Sequence, residues 1–138
     1  MKIVTLCGIV ILGAFVRVEA ASVVPLSVDS VRTHRAKEVL VRVIEYTDDK
    51  AELRLETVEP ITRRLLDAVD IKSFTVDGRT YKFAACDALA VNAVAVESEA
   101  VRVVFECFVP KALAVVADCS LTLQGRKLGK MACVRREK

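Results

Sequence analysis

Apolar side chains recur at every second position in short runs along this chain, and the runs are separated by turn-forming residues. Val39, Val41 and Val43 alternate with Leu40, Arg42 and Ile44. Beyond Thr47-Asp48-Asp49-Lys50, Leu53 and Leu55 alternate with Glu52, Arg54 and Glu56. A period of two is the period of a strand with one buried face, so residues 39–58 are predicted to form a hairpin. Phe74 to Val76 and Arg79 to Phe83 flank Asp77-Gly78, a pair suited to a type I′ turn, which needs positive φ at both central positions; this predicts a second hairpin. Between the two, Pro60 to Asp70 changes period: Ile61, Leu65, Ala68 and Val69 fall on one helical face, and Pro60 suits a first helical position. One short helix is predicted there. Ser22 to Val28 supplies an edge strand, a role to which Pro25 restricts it.

Two more hairpins follow, and each brings a pair of cysteines together. Cys119 to Gln124 and Leu128 to Val134 flank Gly125-Arg126-Lys127. A three-residue loop sets Leu123 opposite Gly129, Leu121 opposite Met131 and Cys119 opposite Cys133 on one face, with Ser120, Thr122, Gln124 and Lys130 on the other. A two-residue loop mixes the faces. The same reasoning pairs Cys86 with Cys107 across Cys86 to Val94 and Val101 to Val109, with Ala88 opposite Phe105 and Ala90 opposite Val103. It also leaves a like-charge pair, Asp87 with Glu106. Each bridge stabilises the fold by about 3 kcal/mol in the chain-entropy model. The fold class is mainly β: a small antiparallel sandwich or barrel-like domain of seven or eight short strands with one short helix. No internal repeat, low-complexity tract or linker divides it.

The compartment comes from the first twenty residues. Lys2, the apolar run Ile3 to Val16 and the ending Val18-Glu19-Ala20 read as a cleavable signal peptide over residues 1–20, followed by a single disulfide-stapled β domain over 21–138. The run covers about 21 Å, short of the roughly 30 Å hydrocarbon core, so no stable membrane anchor is expected after cleavage. Export to a periplasm or to the medium makes pairing of Cys86, Cys107, Cys119 and Cys133 the expected thiol state.

Composition narrows the function. The net charge of +3 falls to +2 once Lys2, Arg17 and Glu19 are removed, and the chain has no Trp, two Tyr and five Phe. Neither a nucleic-acid surface nor an aromatic sugar platform is expected from that. His34, the one histidine, lies among Arg32, Arg35 and Lys37 and reads as a solvated loop residue. The four mature cysteines, separated by 20, 11 and 13 residues, lack zinc spacing. The carboxylates Asp48-Asp49, Glu97 with Glu99, and Asp67 with Asp70 fall where turns or solvated faces are expected.

Neither a catalytic nor a metal set emerges, and no cofactor is called for. The charge pattern with most weight is the C-terminal hairpin and tail, with Arg126, Lys127, Lys130, Arg135 and Arg136 close together in sequence. The expected function is a non-enzymatic binding or accessory module that meets a protein partner, an acidic one if charge steers it, through an edge strand or this basic hairpin. The alternatives are a small secreted hydrolase using His34 or a carboxylate pair, and a sandwich binding a small apolar ligand.

Intact mass before and after reduction tests processing and thiol state together. The exported chain is expected to start at Ala21, and its four cysteines to alkylate only after reduction; an uncut chain with free thiols overturns the compartment argument.

Overall fold

The computed structural model describes residues 28–46, 52–111 and 113–137. The signal-peptide segment, the turn at residues 47–50 and all but the last residue of the expected Ser22 to Val28 strand lie outside them. Among the described residues ten strands run in chain order: β1 Val28–Ala36, β2 Val39–Tyr46, β3 Leu53–Val58, β4 Leu65–Ile71, β5 Ser73–Val76, β6 Arg79–Lys82, β7 Ala88–Val96, β8 Ala100–Phe108, β9 Val115–Gln124 and β10 Lys127–Arg135. They form two four-stranded antiparallel meanders, β1-β2-β3-β4 and β10-β9-β8-β7, and the two-stranded β5-β6. The mainly β expectation holds, with ten strands in place of seven or eight.

The alternating pattern fixes which face is buried. Val39, Val41 and Val43 of β2 and Leu53 and Leu55 of β3 point inward against Val101, Val103 and Phe105 of β8 and Ala117, Cys119 and Leu121 of β9, all within one core. The core is largely aliphatic, as composition implies. Its aromatic part gathers under the β5-β6 hairpin, where Phe74 stacks on Phe105 at 5.7 Å and Phe83 tilts against Phe105 at 5.0 Å. Asp77 and Gly78 take φ of 52° and 72°, the left-handed pair that the Asp-Gly turn requires.

The expected helix over Pro60 to Asp70 is a turn and a strand. Its first turn does form: the Arg63 N–H donates to the Glu59 carbonyl at 3.0 Å. Arg63 then takes φ of 61° and stops it. β3 has β2 on one side only, and its other row of backbone groups is satisfied by β4, from Leu53 opposite Ile71 to Val58 opposite Leu65. A full row of ladder bonds outweighs a weak local helical preference.

Both disulfides are present, with Cα separations of 5.4 Å for Cys86–Cys107 and 4.0 Å for Cys119–Cys133. The registers around them differ in part from expectation. The last hairpin turns on two residues, Gly125 and Arg126, with Leu128 opposite Leu123; a bulge then restores the expected pairs Met131 with Leu121 and Cys133 with Cys119. Gly129 lies in that bulge, where an added Cβ would fall 2.1 Å from Thr122 Oγ1. In the other hairpin Ala88 faces Phe108 and Ala90 faces Glu106, because Cys86 bridges from the turn before β7 and a second bulge falls at Asn92. Glu106 therefore lies opposite Ala90 and not opposite Asp87.

One corner of the sandwich is sewn shut between the sheets. Asp67, on edge strand β4, accepts from the Leu128 N–H of edge strand β10 at 2.8 Å, and the Thr57 hydroxyl donates to the Arg126 carbonyl at 2.6 Å. β5 lies along β10 on the same side. Replacing Asp67 by Ala leaves a half-buried amide without its charged acceptor and is expected to lower stability by about 2 kcal/mol in denaturant unfolding, with Asp67→Asn losing less. A loss under about 0.5 kcal/mol shows that the corner is not a stabilising seam.

Candidate functional site

The five cations of the C-terminal hairpin do not form one patch. Arg126 and Lys127 sit at the β9-β10 turn and Lys130 at the bulge, while Arg135 and Arg136 lie at the far end of β10, about 30 Å from Arg126 and about 17 Å from Lys130 at 3.3 Å per residue. Arg135 Nε is 2.7 Å from Asp77 and Arg136 Nε is 3.3 Å from Asp118. Arg126 lies near Glu59. What remains for long-range steering is the Lys127 and Lys130 end.

Glu59 organises the turn beside that end. One carboxylate oxygen accepts from the Thr62 N–H, from the Thr62 hydroxyl at 2.7 Å and from the Ile61 N–H at 3.1 Å. These hydrogen bonds from Thr62, then that from Ile61 and the charge of Arg126, hold the Glu59 carboxyl below the usual carboxylate range.

Other candidate groups are dispersed. His34 is on β1, opposite Val41, and not in a loop; it is half-buried, and its Nε2 lacks a hydrogen-bond partner. The sequence shows six polar or charged residues near it, but their alternation on a strand was hidden because its inward row is Ser30, Arg32 and His34. Ser30 is four residues from His34 on the same strand, about 13 Å, beyond the reach of a nucleophile–base pair. Among the described residues no three His, Cys, Asp or Glu side chains are grouped to hold a metal ion. Asp70 joins a charge ladder on the outer face of the first sheet. Glu56, 6% exposed, lies 2.6 Å from Arg42 and 2.8 Å from Arg54, which also meets Asp70 at 3.0 Å.

Two clefts open at opposite ends of the sandwich. One, of about 770 Å³, lies between the β1-β2, β7-β8 and β9-β10 turns, where Lys37 pairs with Glu99 at 3.2 Å. The other, of about 480 Å³, has Phe83, Leu53 and Leu89 below Asp29, Glu45 and Asp87. Glu45 is paired with Arg32.

The edges of the two sheets separate more sharply. β4 and β10 close on each other through Asp67 and Thr57. β1 carries Asp29, Arg32, His34 and Arg35. β7 is nine residues, Ala-Leu-Ala-Val-Asn-Ala-Val-Ala-Val, without a charge or a proline. Its register with β8 turns Leu89, Val91, Val94 and Val96 to the core and Ala88, Ala90, Ala93 and Ala95 outward, the order resuming across the bulge at Asn92. Asn92 Nδ2 donates to Glu106 Oε2 at 2.8 Å. Beside the alanine row stands Phe108, 42% exposed. Four alanines at these positions were a visible signal of this edge, obscured by the assumption that Cys86 lay within the strand.

No protein-family model matches the chain, and no curated protein or solved structure matches it either.

Because the Glu59 carboxyl is held low in the folded state, its contribution to stability is full above its ordinary value of 4.5 and is lost as pH falls below that toward the folded value. The difference in thermal midpoint between wild type and Glu59→Gln is expected to be largest at neutral pH and to shrink on acidification through that window. A difference independent of pH leaves the carboxylate without this role.

Proposed function

We propose that this chain is an exported, non-enzymatic binding module that contacts a protein partner by taking an extended segment alongside β7. The observation that carries the reading is the chemistry of that edge. Sheet edges present rows of unpaired N–H and C=O groups, and proteins blunt them with charge, proline or a covering element. β1 has the charges, and β4 and β10 have each other and β5. β7 has small outward side chains that let another backbone approach to ladder distance.

An added strand gains main-chain hydrogen bonds from the edge and selectivity from the side chains beside it. Here Phe108 and the alanine row offer an apolar surface to alternate side chains of the incoming segment. The two disulfides support a secreted or periplasmic setting, where thiols pair. Among the described residues no helix is long and apolar enough to cross a membrane. Lys127 and Lys130 are left to raise the encounter rate with an acidic partner.

Photo-crosslinking distinguishes the edge from the basic hairpin. A benzophenone side chain at Ala93 is expected to give a protein adduct in the exporting cell, while the same group at Lys130 gives none. Adducts from Lys130 alone move the contact to the hairpin, and no adduct from either position removes the binding-module reading.

A further inference from the structure

We infer that the segment seated on β7 is β7 of a second copy of this chain, giving an antiparallel two-fold dimer in which the β10-β9-β8-β7 sheet continues into its mate. This rests on the reading of β7 as the strand-accepting edge and names its partner. The argument is the symmetry of the strand about its bulge. Before Asn92 the order is Ala88 out, Leu89 in, Ala90 out, Val91 in; after it, Ala93 out, Val94 in, Ala95 out, Val96 in. Reversing the strand about the midpoint between Asn92 and Ala93 carries Leu89 onto Val96, Val91 onto Val94 and Ala90 onto Ala95. Every inward residue then meets an inward residue, Ala90 meets Ala95, Ala93 meets Asn92 across the bulge, and Ala88 falls opposite Glu97, one residue beyond the strand.

The backbone obeys the same symmetry. In an antiparallel ladder, residues that turn to the same face also direct their N–H and C=O groups to the same side. Because β7 stays paired with β8 on both sides of the bulge, the inward set 89, 91, 94 and 96 shares one bonding direction and the outward set the other. The Glu97 N–H, in register with Ala93 and Ala95, donates to the Ala100 carbonyl of β8, so the inward set faces the open side, and the two-fold operation maps that set onto itself along the new ladder. A bulge ordinarily blunts an edge because it breaks the order an incoming strand must follow. A straight foreign strand meets that break, whereas a second β7 brings the same bulge to the same place, as an isologous contact requires.

Charge and area agree with this occupant. Over the paired span 89–96 neither copy of the strand carries a charge, so the two strands meet without repulsion. β1 lies close to β7, so the contact also brings up the β1 edge, whose Asp29, Arg32 and Arg35 supply charges of both signs at its border. A strand about 30 Å long on a sandwich edge about 20 Å thick presents about 600 Å² per copy. That gives about 1,200 Å² in all, the lower bound for a specific interface, and implies an association in the micromolar range.

The register itself supplies the test, because position 90 of one copy faces position 95 of the other. Sedimentation of the exported, disulfide-intact protein between about 1 and about 200 µM is expected to show a monomer–dimer equilibrium, bracketing that range. Ala90→Lys with Ala95→Lys sets lysine against lysine twice and is expected to weaken dimerisation about tenfold or more. Ala90→Lys with Ala95→Glu sets lysine against glutamate twice and is expected to stay within about threefold of wild type. Circular dichroism and the thermal midpoint of each variant establish that it is folded; should either fail, amide exchange of wild-type residues 89–96, slower at high protein concentration, carries the same test. A wild type monomeric throughout, or two double variants that behave alike, overturns the dimer. If the chain is monomeric yet Ala93 still crosslinks to a different protein, only the identity of the partner fails; if Ala93 gives no adduct, the edge reading fails with it.

Discussion

Backbone groups at a sheet edge must find partners or water, and two open four-stranded sheets leave four such rows to satisfy. Much of this molecule follows from how each row is met. β4 and β10 are brought together at one corner by two side chains, Asp67 reaching the Leu128 amide and Thr57 reaching the Arg126 carbonyl. Both are polar residues at inward positions on their strands, where an apolar side chain would bury more area but leave an amide and a carbonyl without partners. The β5-β6 hairpin then lies along β10, tied by Arg135 to Asp77 and by Phe74 stacking on Phe105. With that flank closed, the β1 and β7 flank is the one that no other described strand covers.

The two meanders carry an echo of each other that the sequence alone did not bring out. Glu56 and Pro60 at the end of β3 correspond to Glu106 and Pro110 at the end of β8, and the turns that follow place Arg63 and Lys111 at φ of 61° and 60°. Further on, Thr75-Val76-Asp77-Gly78-Arg79 corresponds to Thr122-Leu123-Gln124-Gly125-Arg126, each with a left-handed glycine at its turn. The halves diverge between these points. β9 runs ten residues without interruption, whereas its counterpart breaks at Lys72 into β4 and β5, which belong to different sheets. That break carries the β5-β6 hairpin off the first sheet and onto the β10 flank.

Local chemistry made some of this architecture legible and long-range pairing hid the rest. Asp77-Gly78 dictates its own turn, and Val39 to Val43 and Leu53 to Leu55 dictate which face is buried, because those effects act within a few residues. The Cys119–Cys133 pair followed from matching faces across one hairpin, and it survived an error in the loop because the Gly129 bulge absorbs the extra residue. The helix expected at Pro60 to Asp70 failed for the opposite reason: its local spacing was fair, and the deciding factor was the unpaired edge of β3, which no window of eleven residues contains. β1 was missed because its inward positions hold Ser30, Arg32 and His34, so its period of two is written in polar residues. The Cys86–Cys107 pair was inferred correctly with a register that was wrong, since a disulfide fixes two Cα atoms and leaves the strand between them free to accept a bulge.

The composition of β7 is the least economical choice in the fold and therefore the most informative. Alanine is depleted in strands because it offers little to pack, yet all four outward positions of this edge carry it. Its neighbour β8 has Arg102, Glu106 and Phe108 on the same face, so small side chains are a property of the edge and not of the sheet. The strand is nevertheless held firmly. Cys86 ties its start to Cys107, the Asp87 N–H donates to the Phe108 carbonyl at 2.7 Å, and Asn92 grips Glu106 at its centre. A frayed edge would lose the ordering entropy again on meeting a partner, whereas an edge fixed in advance keeps more of each new hydrogen bond as affinity. Rigid attachment on the inner side together with small, neutral side chains on the outer row is what a strand-accepting surface needs, and β7 is the edge of this sandwich that combines the two.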